Sequence, residues 1–315
     1  MRWLDRLLAA CSAVVVLVSL LPLGARLSWH IDLTSHFRVQ YLAAAVVLLA
    51  LLALRRRWRI CAALGVAAAV SAAPLLPYLP WSGSAGSTAT AAPLTVLSVN
   101  VSYRPFSARR LLEIVREANP DVLVMQEFTP HAAEVLADLD ATFSHHLKFP
   151  ADGAYGIALW SRFELEGAQL FALGRLPAIE ARVRSPNGTF TLFGVHLSAP
   201  TTTRRALSRD QELRQLGERS AAVDGPLIVA GDFNLTPYSP RFGDWLAVSG
   251  LTDTRRGRTL SVSWPALLPV IGIPIDHVAV SPEFEIRSHR RLPDFGSDHY
   301  GVLVELALRA TEESP

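Results

Sequence analysis

Hydrophobic positions follow two regimes along this chain. Before about residue 80 they form long, nearly unbroken blocks: Leu7 to Leu23, Val39 to Leu54, and Ile60 to Leu79. A helix needs about 20 residues to cross the hydrocarbon core, with about 17 as the lower limit. The first and third blocks reach that length. The second reaches it once its Phe37-Arg38-Val39-Gln40 entry is helical, with Arg38 snorkelling to the interface. Taken alone, the first block also fits a signal peptide. Three blocks with short connections predict three transmembrane helices and a membrane anchor over residues 1–80.

Beyond residue 80 the apolar runs are short and stop at polar side chains. Trp81 to Ala92 is mostly Ser, Gly, Thr and Ala without charge, the composition of a flexible tether over 81–92. A second domain is expected over 93–310. Leu94 to Asn100 reads as a strand, and Ser107 as the cap of a helix carrying Leu111, Leu112 and Val115, stopped at Asn119-Pro120. Asp121 to Glu127 is the next strand, so that Asn100 and Glu127 both close strands of a βαβ-like unit. Tyr155 to Arg162 reads as a further strand. Ile179 to Arg184 and Thr189 to Val195 form a hairpin about Asn187-Gly188 that delivers His196. An Arg/Glu-rich helix from Thr203 leads to Leu227-Ile228-Val229-Ala230-Gly231-Asp232-Phe233-Asn234, a buried strand running into two polar residues. Ile275 to Ser281 and Gly301 to Leu308 complete the strands. His145-His146 fall in a stretch that reads as a loop. Many strands with two good helices between them predict an α/β fold with mixed sheets.

Charge divides at the same boundary. Residues 1–80 hold eight arginines against Asp5 and Asp32, while residues 81–315 hold 22 basic and 26 acidic residues. A mildly acidic second domain argues against a non-specific polyanion binder. Arg55-Arg56-Arg57-Trp58-Arg59, together with Arg2 and Arg6, place the amino terminus and the second connection in the cytoplasm, and three crossings then put the second domain outside it. Both cysteines, Cys11 and Cys61, lie in the apolar blocks. The second domain therefore has no disulfide framework, thiolate metal site or cysteine nucleophile. It also lacks a glycine-rich phosphate loop.

Taken singly, an Asn or Asp that closes a strand is more often a turn former than a catalyst, and a lone His is as readily a core residue. Their order changes the reading. Ser98-Val99-Asn100, Gln126-Glu127, Gly194-Val195-His196, Gly231-Asp232-Phe233-Asn234, Ile275-Asp276-His277 and Gly296-Ser297-Asp298-His299 resemble, in sequence order, the motifs of the endonuclease/exonuclease/phosphatase superfamily. The resemblance covers about residues 93–308. It implies a two-sheet β-sandwich flanked by helices, deoxyribonuclease-like, with the site at one end. It also implies metal-assisted attack of water on a phosphodiester or phosphomonoester. Glu127 would be the main ligand of Mg²⁺, with Mn²⁺ as the alternative ion, supported by Asn100 and Asp298. Asp232 would activate the water and Asn234 would hold the phosphate. His299, positioned by Asp276, would stabilise the growing charge, and His196 would contact the phosphate.

Two positions limit the resemblance. Ser102 stands where some nucleases of the family have Asp, which weakens a carry-over of apurinic-site activity. His277 follows Asp276 on the strand, points to the other face and reads as packing. The substrate is left between a lipid-linked or small phosphoester and nucleic acid, with a membrane as the other partner and no protein partner expected. A non-catalytic binding module of the same fold is the alternative from another class. Trp264 to Pro274 carries no charge and fits either contact with a bilayer or packing on the core.

Overall fold

The computed structural model describes residues 2–81 and 92–309. Apart from Trp81 and Ala92, the stretch expected to be a tether lies outside the described residues. The chain divides into two compact units, one of residues 1–79 with 236–243 and one of residues 80–235 with 244–315.

The first unit is helical. Helices α1 (Arg2–Leu20), α2 (Trp29–Thr34), α3 (Arg38–Leu54) and α4 (Trp58–Ala72) contain three candidate membrane spans: Trp3–Gly24, Trp29–Leu54 and Trp58–Tyr78. The second span starts earlier than its apolar block predicts. The Ser28 side chain accepts from His30 N and starts α2, and a 3₁₀ turn over Ser35–Phe37 carries the helix into α3. Polar residues Asp32 and His36 hid this start from hydropathy. Within the unit, Ser239 Oγ donates to Asp32 Oδ1 at 2.6 Å.

In the second unit the chain runs β1 (Leu94–Asn100), α5 (Ala108–Ala118), β2 (Val122–Gln126), α6 (Pro130–Val135), α7 (Leu139–Thr142), β3 (His145–Phe149) and β4 (Ile157–Ser161). It continues through β5 (Glu164–Leu173), β6 (Leu176–Ser185), β7 (Gly188–His196), α8 (Thr203–Ala221) and β8 (Leu227–Asp232). Then come α9 (Pro240–Ser249), β9 (Thr252–Asp253), β10 (Asp276–Val280), β11 (Phe284–Arg291) and β12 (Val302–Leu308). These strands make two six-stranded mixed sheets, ordered β11-β12-β1-β2-β4-β3 and β5-β6-β7-β8-β10-β9. His145-His146 belong to edge strand β3 instead of a loop, because their backbones pair with β4.

Side-chain alternation assigns the two faces of each sheet. Val96, Val124, Leu192, Ile228, Ala230 and Val278 point between the sheets and form one core. Leu97, Val99, Leu123 and Met125 point outwards and pack against Leu111, Ile114 and Val115 of α5. Following the inward rows along β1, β7 and β8 leads from Val96 to Asn100, from Leu192 to His196 and from Ile228 to Asp232. The apolar core thus gives way to polar side chains at one end of the sandwich.

Candidate active site

Strand pairing brings the polar ends together. β1 and β2 are parallel, with Asn100 opposite Gln126, so Glu127 follows directly beside Asn100. β7 and β8 are also parallel, with His196 opposite Asp232. β10 runs antiparallel to β8 and sets Asp276 opposite Asp232. Gly231 permits this approach: a Cβ there would lie 1.8 Å from the Val195 carbonyl oxygen. Ser102, Glu127 and Asn234 hold left-handed backbone conformations, with φ of 60°, 57° and 48°. Such conformations cost of order 1–3 kcal/mol each and persist where surrounding structure imposes them.

Asp232 is the centre. Its Oδ1 accepts from Asn234 N at 2.8 Å and its Oδ2 from Asn100 Nδ2 at 3.1 Å. The same Asn100 amide lies 3.2 Å from Glu127 Oε1, and Glu127 Oε2 accepts from Tyr103 N at 2.8 Å. Asn234 Nδ2 donates to Leu197 O at 2.9 Å. His196 Nδ1 lies 3.1 Å from the Ala154 carbonyl, which only accepts, so that nitrogen carries the proton. Its Nε2 faces Asp232 Oδ2 at 3.6 Å and Glu127 Oε1 at 3.9 Å. His299 Nδ1 bonds Asp276 Oδ2 at 2.9 Å, and its Nε2 is 3.8 Å from Asp232 Oδ2.

Burial sets the electrostatics. Desolvation pushes the Asp232 carboxyl up to about 6, and the Asp276 charge adds to the shift against the imidazoles of His299 and His196. For His299 burial alone would lower the value. The charges of Asp276 and Asp232, with the Asp276 hydrogen bond, outweigh it and raise His299 to about 10. Asp276 is held below the usual carboxylate range: burial opposes this, but the charge and hydrogen bond of His299 prevail.

Asn100, Glu127, His196, Asp232, Asn234, Asp276 and His299 are therefore gathered into one cluster. Asp298 joins the cluster through His299. Its carbonyl accepts from Ala266 N at 2.8 Å and its carboxylate adds to the negative field at His299. Among the described residues that carboxylate makes no hydrogen bond to Glu127 or Asn100. His277 points to the opposite face, where its Nε2 lies 2.9 Å from Leu235 O. Two serines escaped the sequence reading. Ser297 Oγ donates to Asn100 O at 2.8 Å and accepts from His299 N at 3.1 Å, tying β1 to the turn that carries His299. Ser263 Oγ accepts from both Ile275 N and Asp276 N. Ser297 lies inside a quoted motif and was within reach; nothing in the sequence marks Ser263. A cleft of about 330 Å³, lined by Tyr103, Arg104, Phe106, Thr129, His131 and Asp152, opens beside the Glu127 loop.

Known proteins share this fold. The model of the "Endonuclease/Exonuclease/phosphatase family" matches residues 97–299. The chain belongs to that family. Its fold is similar to that of an endonuclease/exonuclease/phosphatase from Beutenbergia cavernae, at 23% identity, TM-score 0.59 and coverage of 70% of this chain and 73% of that one. D. rerio TDP2 in complex with a single-strand DNA product is similar at 17% identity and TM-score 0.59, over 68% and 99% of the two chains. A Bacteroides thetaiotaomicron mannosyl-6-phosphatase is similar at 18% identity and TM-score 0.54, over 68% and 100%. No curated protein sequence matches the chain.

The donor set suits a hard divalent cation. Asp276, Asp232 and Asp298 all act on the His299 imidazolium, and Glu127 shares the Asn100 amide with Asp232; burial, with the Asp276 charge added, raises Asp232. The ligand-capable atoms of Asp232, Asp276 and His299 lie within 4.8 Å of one another. A His299 raised to about 10 carries protons on both ring nitrogens.

Proposed function

We propose that this family member is a membrane-anchored, divalent-cation-dependent phosphoesterase that hydrolyses a phosphodiester or phosphomonoester by attack of water. The observation that carries this reading is Asp232, raised to about 6 between Asn100, Asn234 and the His299–Asp276 pair. A base poised near the operating pH is the most effective one.

In this reading Asp232 takes the proton from the attacking water, with Asn100 and the Asn234 amide fixing its two oxygens. The Asn234 carboxamide, anchored on Leu197 O, holds a phosphoryl oxygen. His299, kept charged and oriented by Asp276, directs its Nε2–H at the oxygens where negative charge grows. His196 Nε2 faces the same space. A bound Mg²⁺, or Mn²⁺, held by Glu127 with Asn100 and Asp298, would polarise the phosphoryl group and ease departure of the alkoxide. Retention of both Glu127 and the Asp276–His299 pair favours an enzyme over a binding module of the same fold.

Residues 1–80 are the anchor, 81–92 the tether and 93–310 the catalytic domain. The arginines at 2, 6, 55–57 and 59 support an extracytoplasmic placement of that domain. The test is turnover by the purified full chain of a nucleic acid, a phospholipid and a soluble phosphomonoester, each with Mg²⁺ and with chelator. Chelator-sensitive hydrolysis of one of them is expected. Binding of the cation without turnover of any would favour the binding module.

A further inference from the structure

A long charge-free stretch of the catalytic domain, Thr259–Ile275, leads straight into Asp276. Its centre is a short hairpin closed by an antiparallel bridge between Trp264 and Ile273, with a 3₁₀ turn over Pro269–Ile271 at the tip. The base is rigid. Ala266 N donates to Asp298 O, Tyr300 OH to Ala266 O and Tyr300 N to Ser263 O, while Ser263 Oγ accepts from Asp276 N. The hairpin is thus stitched to Asp276 and to the Asp298-His299-Tyr300 turn.

The tip does the opposite of packing. Leu267 is 86% exposed and Val270 90%, with Leu268 and Ile271 also exposed. Leu207 and Val248, also exposed, stand singly along the chain, and Phe149, Tyr155 and Leu170 are each less than half exposed around a shallow pocket. Four such side chains within five consecutive positions on a hydrogen-bonded base form a surface that water disfavours. Tryptophan at the base suits a membrane interface. Exposed Arg291, whose guanidinium stacks 4.1 Å from the Tyr300 ring centroid, supplies a positive charge beside the hairpin for an anionic headgroup. The chain also carries three apolar helices long enough to span a bilayer, which keeps a lipid surface near this domain by covalent linkage.

We infer that the 264–273 hairpin inserts its Leu267–Ile271 tip into a lipid surface, and that the phosphoester hydrolysed at Asp232 is one borne by a membrane lipid. The substrate half rests on the phosphoesterase reading; the insertion half does not.

Insertion is read without turnover. A full chain with Cys11→Ser, Cys61→Ser and Val270→Cys is labelled with bimane and reconstituted into phosphatidylcholine vesicles containing doxyl-labelled phosphatidylcholine. A label at Arg109→Cys, whose side chain is 91% exposed, serves as comparison. Quenching severalfold greater at 270 than at 109 is expected. Equal quenching overturns insertion, as does a 270–270 disulfide dimer that forms on mild oxidation in vesicles and detergent alike, which would mean that a second copy covers the tip.

The substrate is read with the Leu267→Ser/Val270→Ser variant, both changes being at exposed positions. About tenfold slower Mg²⁺-dependent release of phosphate or glycerol phosphate is expected from long-chain phosphatidic acid or phosphatidylglycerol in phosphatidylcholine vesicles. Hydrolysis of p-nitrophenyl phosphate and bis(p-nitrophenyl) phosphate should not change. Equal effects on vesicle and soluble substrates overturn the lipid assignment. No turnover of any substrate by the unsubstituted protein sinks the phosphoesterase reading and the assignment with it, while the quenching result stands or falls separately.

Discussion

Asp276 and His277 are neighbours on β10, both buried, and each belongs to a carboxylate–imidazole pair on its own face of the sheet. On the inner face Asp276 holds His299 at 2.9 Å. On the outer face His277 Nδ1 lies 3.5 Å from Asp253 Oδ2. The pairs look alike, but their surroundings differ. Asp253 shares its cluster with Arg255, whose guanidinium donates to Ser261 O at 2.7 Å and Asp276 O at 2.8 Å, and with His289, bonded to Thr254 Oγ1 at 2.9 Å. Burial would raise Asp253, but the His277 hydrogen bond and the charges of His277 and Arg255 hold it below the usual range. Burial, reinforced by Arg255, pushes His289 well below its ordinary value, so it stays neutral. That cluster is balanced and closed. Around the Asp276 side chain the acids outnumber the imidazolium, and Arg255 reaches only the Asp276 backbone carbonyl; in the phosphoesterase reading the balance is left for a cation and a substrate. Excess charge beside open space, more than the presence of an Asp–His pair, separates a site from a buried structural network.

The sharpest way to break this contrast is Asp232→Asn. The isosteric amide removes the base, and Mg²⁺-dependent hydrolysis should fall by about 10³-fold, within the range for loss of a positioned acid or base. The melting temperature should hold or rise, because a buried charge facing Asp276 has been removed. Activity within tenfold of the parent would remove Asp232 from the centre of the site.

Arg255→Met tests the other cluster. Removing one partner of a buried pair leaves Asp253 uncompensated, and destabilisation of about 3–5 kcal/mol is expected from thermal or denaturant unfolding. Specific activity of the folded fraction should change only severalfold. Unchanged stability would mean that Arg255 does not balance this cluster.

A third expectation uses the sign of the Asp232 shift in chelator-treated protein. Its folded value, about 6, lies above the ordinary 3.8. Between those values the folded state binds more protons than the unfolded one, so stability from this group is present below about 4 and lost as pH rises through about 6. His289 works the other way, since its depressed value removes stability as pH falls below its ordinary 6.5. Asp232→Asn should therefore gain stability over the parent as pH rises from about 4 to 7, by up to about 3 kcal/mol. A difference that stays flat across that window would contradict the shift.

Much of the inner face was legible in the sequence, and the outer cluster was not. Asn100, His196 and Asp232 each end an apolar run whose period of two fixes the face they share, so a strand pattern and a motif order suffice to find them. Asp253, Arg255 and His289 follow no such rule. They come from a two-residue strand, a turn and an edge strand, and only the pairing of β9 with β10 and of β11 with β12 brings them together. β5 and β11 were missed because their exposed faces carry Glu, Gln and Arg, which breaks apolar alternation. β3 was missed because it is short and polar. Asp298, found by its motif, also fastens the hairpin to the site turn through its backbone bond with Ala266, a contact that no sequence pattern marks.

The smallest effect is also the most direct comparison, because it exchanges neighbours on one strand. His277→Gln keeps a donor for Leu235 O while losing the edge-on contact with Phe233, 5.3 Å between centroids, and the imidazole beside Asp253. A single replaced hydrogen bond and one weakened ring contact should cost about 1 kcal/mol in unfolding. Activity should stay near the parent's, since His277 touches none of the groups around Asp232. Asp276→Asn, one residue away, frees His299 from the charge that keeps it protonated and oriented, and hydrolysis should drop by at least about tenfold. If both variants lose activity equally, β10 acts on the site as a rigid whole, and the assignment of one face to chemistry and the other to structure is wrong.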